Sequence, residues 1–156
     1  MVKFLEEAKA RGLCKEYTEM VDKAGSKKAL LDIALDPNGI EYVCKAVCKG
    51  YLDADYISEA FAPFNNGRYV KNVGYTSSMY CQPTTELLET KTTATLIIGY
   101  RGRVVIPHIC ELYLCNSEVS IEGEGTALCY LYNSKIVSTD KAEARIKENK
   151  RYGTEI

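Results

Sequence analysis

Residues 113–119 read Tyr-Leu-Cys-Asn-Ser-Glu-Val, and residues 130–136 read Tyr-Leu-Tyr-Asn-Ser-Lys-Ile. At an offset of 17 positions, Tyr113 matches Tyr130, Leu114 matches Leu131, Asn116 matches Asn133 and Ser117 matches Ser134. Val119 and Ile136 are equivalent β-branched residues, and Ile97 precedes Leu114 by the same interval within a weaker copy, Leu96-Ile-Ile-Gly99. An antiparallel meander, with Glu122-Gly-Glu-Gly125 as a hairpin turn, gives no reason to repeat a heptapeptide in the same order. A β-solenoid does. Its coils stack so that equivalent side chains fall in rows about 4.8 Å apart, with aliphatic rows inside, tyrosines stacked, asparagine amides laddered and Asn-Ser turning the corner. The repeat therefore predicts a short β-solenoid over 92–156, with the meander as the alternative.

Upstream the period changes. Ile40, Val43, Cys44, Val47 and Cys48 have the i, i+3, i+4, i+7, i+8 spacing of a core-facing helix over 40–49. Further helices are expected over 2–11, over 14–24 (ended by Gly25), from Ser26 as N-cap with Leu30, Ile33 and Ala34 inward, and from Asp53 as N-cap to Phe61. Asp36-Pro-Asn-Gly39 punctuates them as a turn. The expected organisation is α+β: a helical module over 1–63, a Tyr-rich linker over 64–91 carrying one or two irregular strands, and the repeat unit over 92–156 with its charged tail. So short a stack has open edges, which the helices, the tail after Asp140 or a second subunit must cover, so a homo-oligomer is expected.

The chain of 156 residues has a net charge of −1, and both signs are spread evenly through it. Long-range capture of a nucleic-acid backbone gains nothing from that balance. No apolar run is long enough to span a bilayer, and the N-terminus lacks the apolar core of a secretory signal, so a cytoplasmic protein away from membranes is expected. Seven cysteines with one histidine, His108, give no paired Cys-x2-Cys spacing, and Cys44-x3-Cys48 is one helical turn. They read as reduced, small hydrophobes, and no metal or cofactor is expected.

Catalytic readings are weak. Glu111, Glu118, Glu122 and Glu124 read as a solvated face rather than paired acids, and His108 near Cys110 lacks the context of a nucleophile–base pair. No phosphate loop or dinucleotide fingerprint is present. The chain reads as non-enzymatic. The segment from Arg68 to Tyr80, with Tyr69, Lys71 and Tyr75, places rings beside cations in the manner of binding surfaces, or else covers a seam between the two halves.

The segments Ala34-Leu-Asp-Pro-Asn-Gly-Ile-Glu-Tyr42, Phe64-Asn-Asn-Gly-Arg-Tyr-Val70 and Gly74-Tyr-Thr-Ser-Ser-Met-Tyr-Cys81 resemble segments of small phage and prophage proteins that have a helical start and a β-rich tail. That resemblance implies an accessory protein acting by binding and blocking a host defence or regulatory protein. Two alternatives stand beside it. One is sequestration of a small nucleotide signal, with Tyr stacking and Arg68, Lys71, Arg101 and Arg103 neutralising phosphate. The other is an oligomerising component of a virion or filament.

Overall fold

The computed structural model describes residues 19–20, 22–36, 39–61, 68–72 and 75–153, without the side chains of Lys27, Ala60 and 68–72. The helices expected over 2–11 and 14–24 lie wholly or mostly outside them. The described residues include helices α1 (Lys27–Ala34), α2 (Gly39–Cys48) and α3 (Ala54–Ala60), then strands β1 (Arg68–Asn72), β2 (Tyr75–Cys81), β3 (Leu87–Glu89), β4 (Ala94–Ile98), β5 (Arg101–Val105), β6 (Ile109–Cys115), β7 (Glu118–Glu122), β8 (Thr126–Tyr132), β9 (Lys135–Thr139) and β10 (Glu143–Lys150).

From β2 onward the strands alternate between two parallel sheets. Sheet A has the order β1-β2-β4-β6-β8-β10 and sheet B the order β3-β5-β7-β9. Only β1 runs antiparallel, against β2. This is a solenoid of about four coils, and the meander is ruled out by the parallel pairing of β6 with β8 and of β7 with β9. The stacking is in the expected register: Tyr113 lies beside Tyr130, Leu114 beside Leu131, and Ile97 beside Leu114. Tyr113 and Tyr130 stack with ring centroids 4.5 Å apart.

The stack begins earlier than the repeat suggests. β2 and β3, within the stretch expected as linker, pair in register with β4 and β5 as a further coil. The corner explains why that coil was hard to read. Gln82, Gly99, Asn116 and Asn133 all have positive φ, one per coil, at the same interval. The left-handed conformation is what the corner demands, and asparagine and glycine supply it most easily. The residue type is free to change so long as the backbone is kept.

The corner ladder is made by serines rather than asparagines. The Tyr100 amide donates to Ser117 Oγ at 3.0 Å, and the Ser117 amide donates to Ser134 Oγ at 3.0 Å. Each hydroxyl in turn donates to a strand-end carbonyl, Cys115 and Tyr132, both at 2.9 Å. Asn133 instead clamps the C-terminal segment, with its Oδ1 2.6 Å from the Tyr152 amide and its Nδ2 3.0 Å from the Tyr152 carbonyl. The Glu122-Gly-Glu-Gly125 stretch is the opposite corner, not a hairpin turn. Gly123 has φ +97°, and a Cβ there would collide with the Ile106 backbone of the preceding coil.

Alternation along each strand of sheet A divides its side chains between two cores. Ile97, Leu112, Leu114, Cys129 and Leu131 point into the solenoid against Val104, Val119 and Ile121 of sheet B. Met79, Leu96, Ile98, Cys115 and Tyr132 point outward, under Ile40, Cys44, Val47 and Cys48 of α2 and Ile57 of α3. Sheet A is therefore covered on both faces, which is what parallel strands need.

The described helices do not form a separate bundle. They share one core with sheet A. Ser26 caps α1 by accepting from the Ala29 amide at 3.1 Å, and Asp53 caps α3 by accepting from the amides of Asp55 and Tyr56. α1 buries Leu31, and its C-cap Leu35 is buried beside it; Leu30, Ile33 and Ala34 are only half-buried, so that stripe is displaced by one residue from the expected one.

Candidate partner-binding surfaces

The seven residues singled out in the sequence are spread over both sheets. Arg68, Tyr69 and Lys71 belong to β1, the first strand of sheet A. Tyr75 is on the outer face of sheet A, half-buried against the helical core. Burial, with Glu111 and Asp36 adding to it, pushes its phenol up to about 12. Tyr80 points the other way and packs against the interior of the solenoid. Neither ring is free surface. β2 alternates, so residues five apart must face opposite sides.

Arg101 and Arg103 are exposed on β5, across the molecule on the outer face of sheet B. Register builds a surface around them. Arg101 lies beside Glu118, and Glu118 beside Lys135, so one row reads plus, minus, plus across three coils. In the neighbouring rows Arg103 lies beside Ser120, and Val105 beside Glu122. Arg103 donates from its Nη1 to Glu122 Oε1 at 3.2 Å. Leu87 at one edge and Val137 at the other are exposed, Val137 to 57%.

Glu118, Glu122 and Lys135 thus belong with the two arginines, which residue-by-residue reading missed. The signal was available: 101, 118 and 135 are successive members of the 17-residue offset. The face alternates in charge along the row Arg101–Glu118–Lys135 and is apolar at its margins. Chemically it can pair ion for ion with another protein surface, but it offers no concentrated positive charge for a phosphate, because each arginine has a carboxylate in an adjoining position.

His108, Tyr113 and Tyr132 make polar contacts within the fold. His108 Nε2 lies 3.4 Å from the Thr92 carbonyl at an exposed corner, while Cys110 is buried inside the solenoid, so the two do not form a dyad. Tyr113 donates to Glu111 at 3.3 Å and Tyr132 to Glu148 at 2.6 Å. Burial is the leading reason both phenols are pushed up, and the carboxylates reinforce it. Among the described residues no three His, Cys, Asp or Glu side chains are arranged to hold a metal ion. No helix among them is long and apolar enough to cross a membrane. Comparison with family models, curated proteins and solved structures finds no match for this chain.

The edges of both sheets share a property. Register shifts occur in β1 between Val70 and Asn72, in β10 between Ile146 and Glu148, and in the β7–β9 pairing opposite Val119 and Ser120. The interior pairings of β2, β4, β6 and β8, and of β5 with β7, run without one. The fourth edge strand, β3, is only three residues long. Bulges, short strands and the charged sequence of β10 are the devices by which native sheets prevent another chain from adding to an edge.

Proposed function

We propose that this chain is a non-enzymatic, phage-type accessory protein that binds and inhibits a host defence or regulatory protein in the cytoplasm, docking it on the outer face of sheet B. The observation that supports this reading is the row Arg101–Glu118–Lys135, flanked by the Arg103–Glu122 pair, on the outer face of sheet B. Such a face needs a partner of complementary alternating charge, which fixes register and selects one protein over another. Sequestration of a nucleotide is disfavoured by the carboxylates set among the arginines. A filament built by stacking coil on coil is disfavoured by the bulged and shortened edges.

The test is capture from host lysate with the tagged protein, run beside the variant Arg101→Glu/Arg103→Glu/Lys135→Glu. The expected result is a stoichiometric partner retained by the wild-type chain, released by raised salt and lost in the variant, with circular dichroism and Tm unchanged. Equal recovery by both proteins overturns the assignment of this face. A rise in Tm with a cyclic nucleotide would favour the sequestering reading instead.

A further inference from the structure

Cys48, in the last turn of α2, and Cys115, at the end of β6, place their sulfur atoms 3.2 Å apart, across 67 residues of chain. Both are buried and unbridged. Cys44 lies one helical turn before Cys48 and its carbonyl is 3.6 Å from the Cys115 sulfur. The contact joins two layers: α2 belongs to the helical cover and β6 to sheet A.

We propose that Cys48 and Cys115 form a redox modification site, at which a peroxide converts the thiol pair into a disulfide that fastens α2 to the solenoid. Cys48 is the entry point. It sits at the rim of the helical layer, its sulfur 3.5 Å from Oδ1 of the exposed Asn116, whereas Cys115 lies wholly beneath the helix. In the first step the Cys48 thiolate attacks one peroxide oxygen, the O–O bond breaks, and Cys48 becomes a sulfenic acid as the other oxygen leaves as water. In the second, the Cys115 sulfur attacks the Cys48 sulfur, the S–O bond breaks, and its oxygen leaves as a second water. The peroxide accepts the two electrons that the two thiols lose.

The environment sets the pace. The hydrogen bond to Cys115, followed by burial, raises the Cys48 thiol, and the hydrogen bond to Cys44 raises Cys115. Thiols held protonated are slow nucleophiles. The reaction therefore waits on opening of the helical rim, and it records sustained oxidation rather than turning over peroxide. The dithiol is the resting form in a reducing compartment, and the bridge removes the freedom of α2 to lift from sheet A.

The experiment treats the intact chain with hydrogen peroxide, alkylates remaining thiols and maps peptides without reduction. The expected result is a Cys48–Cys115 linked peptide within one chain, absent in Cys48→Ser and Cys115→Ser, retained in Cys44→Ser, with a raised Tm that a reducing agent reverses. Full alkylation of both cysteines in oxidised wild-type protein overturns the proposal, and needs no variant to fold. So does a bridge from Cys115 to Cys44 in the wild-type chain, or one found only between chains.

Discussion

The amide of Ser117 donates to the Oγ of Ser134, one coil further along, and Ser134 passes its own proton to the carbonyl of Tyr132. One hydroxyl thereby satisfies a buried donor above it and an acceptor in its own coil. Ser134→Ala strands the Ser117 amide in the interior. A loss of about 1–3 kcal/mol is expected in denaturant unfolding, with little change in the slope.

The left-handed corner makes a second, independent demand. Asn116 has φ +50°, a conformation that a β-branched side chain resists. Asn116→Val is expected to cost about 1–2 kcal/mol, whereas Asn116→Gly should be close to neutral. Chemical denaturation of the two variants side by side checks the contrast. Equal losses would mean that the side chain, not the backbone, is what the corner needs.

Acid should loosen the clasp between α2 and β10. Glu41 lies 2.9 Å from Lys45 and 3.4 Å from Lys150, and the hydrogen bond to Lys45, over the opposing effect of burial, holds its carboxyl below the ordinary value of 4.5. A lowered carboxyl pKa contributes stability that is present above the unfolded value and lost as pH falls through the folded one. Tm should therefore decline below about pH 5, and the decline should be shallower in Glu41→Gln. Parallel melting curves for the two proteins across that range give the answer.

Alkali acts with the opposite sign. Tyr75, Tyr113, Tyr130 and Tyr132 all have raised phenols, with burial the first cause in each. The folded chain keeps phenol protons that the unfolded chain releases, so the contribution of these rings is fully present below about pH 10 and is lost above it. Phenolate absorbance should then rise cooperatively with loss of circular dichroism. A gradual rise in a chain that stays folded would show these rings to be open to solvent.

The β9 irregularity can be removed by deletion of Val137, the exposed residue between Ile136 and Ser138, at the point where the pairing with β7 shifts. A straightened β9 would present a regular edge on which another strand can pair. Light scattering should then show assembly that grows with concentration, in contrast to the parent chain.

Much of the solenoid was legible because stacking constrains the same residue types at the same interval. Leu114 and Leu131 occupy one row, and the sequence says so directly. The first coil was less visible. Its inner positions need only fill space, so Tyr80 stands where Ile97 and Leu114 stand, and its corner is Gln82 rather than glycine or asparagine. The stripe of α1 was misplaced because a helix of eight residues has too few turns for its phase to be read from apolar spacing alone. The surroundings of the candidate binding residues were the least legible. Tyr75 and Tyr80 look alike in the sequence, and only the parity of β2 tells one core from the other. Arg101 and Glu118 become neighbours through register, which requires the 17-residue interval to be applied to polar positions as well as apolar ones. The meeting of Cys48 with Cys115 depends on how α2 docks and left no trace in local pattern.

The strands of each 17-residue rung pair with those of the rung before and the rung after, so a copied rung would continue the same ladders. Copying one rung in frame would lengthen this protein while leaving α2 and α3 more of the outer face of sheet A to cover. Each copy would extend the charged row on sheet B by one residue, because among the described residues that face carries no helical cover to outgrow.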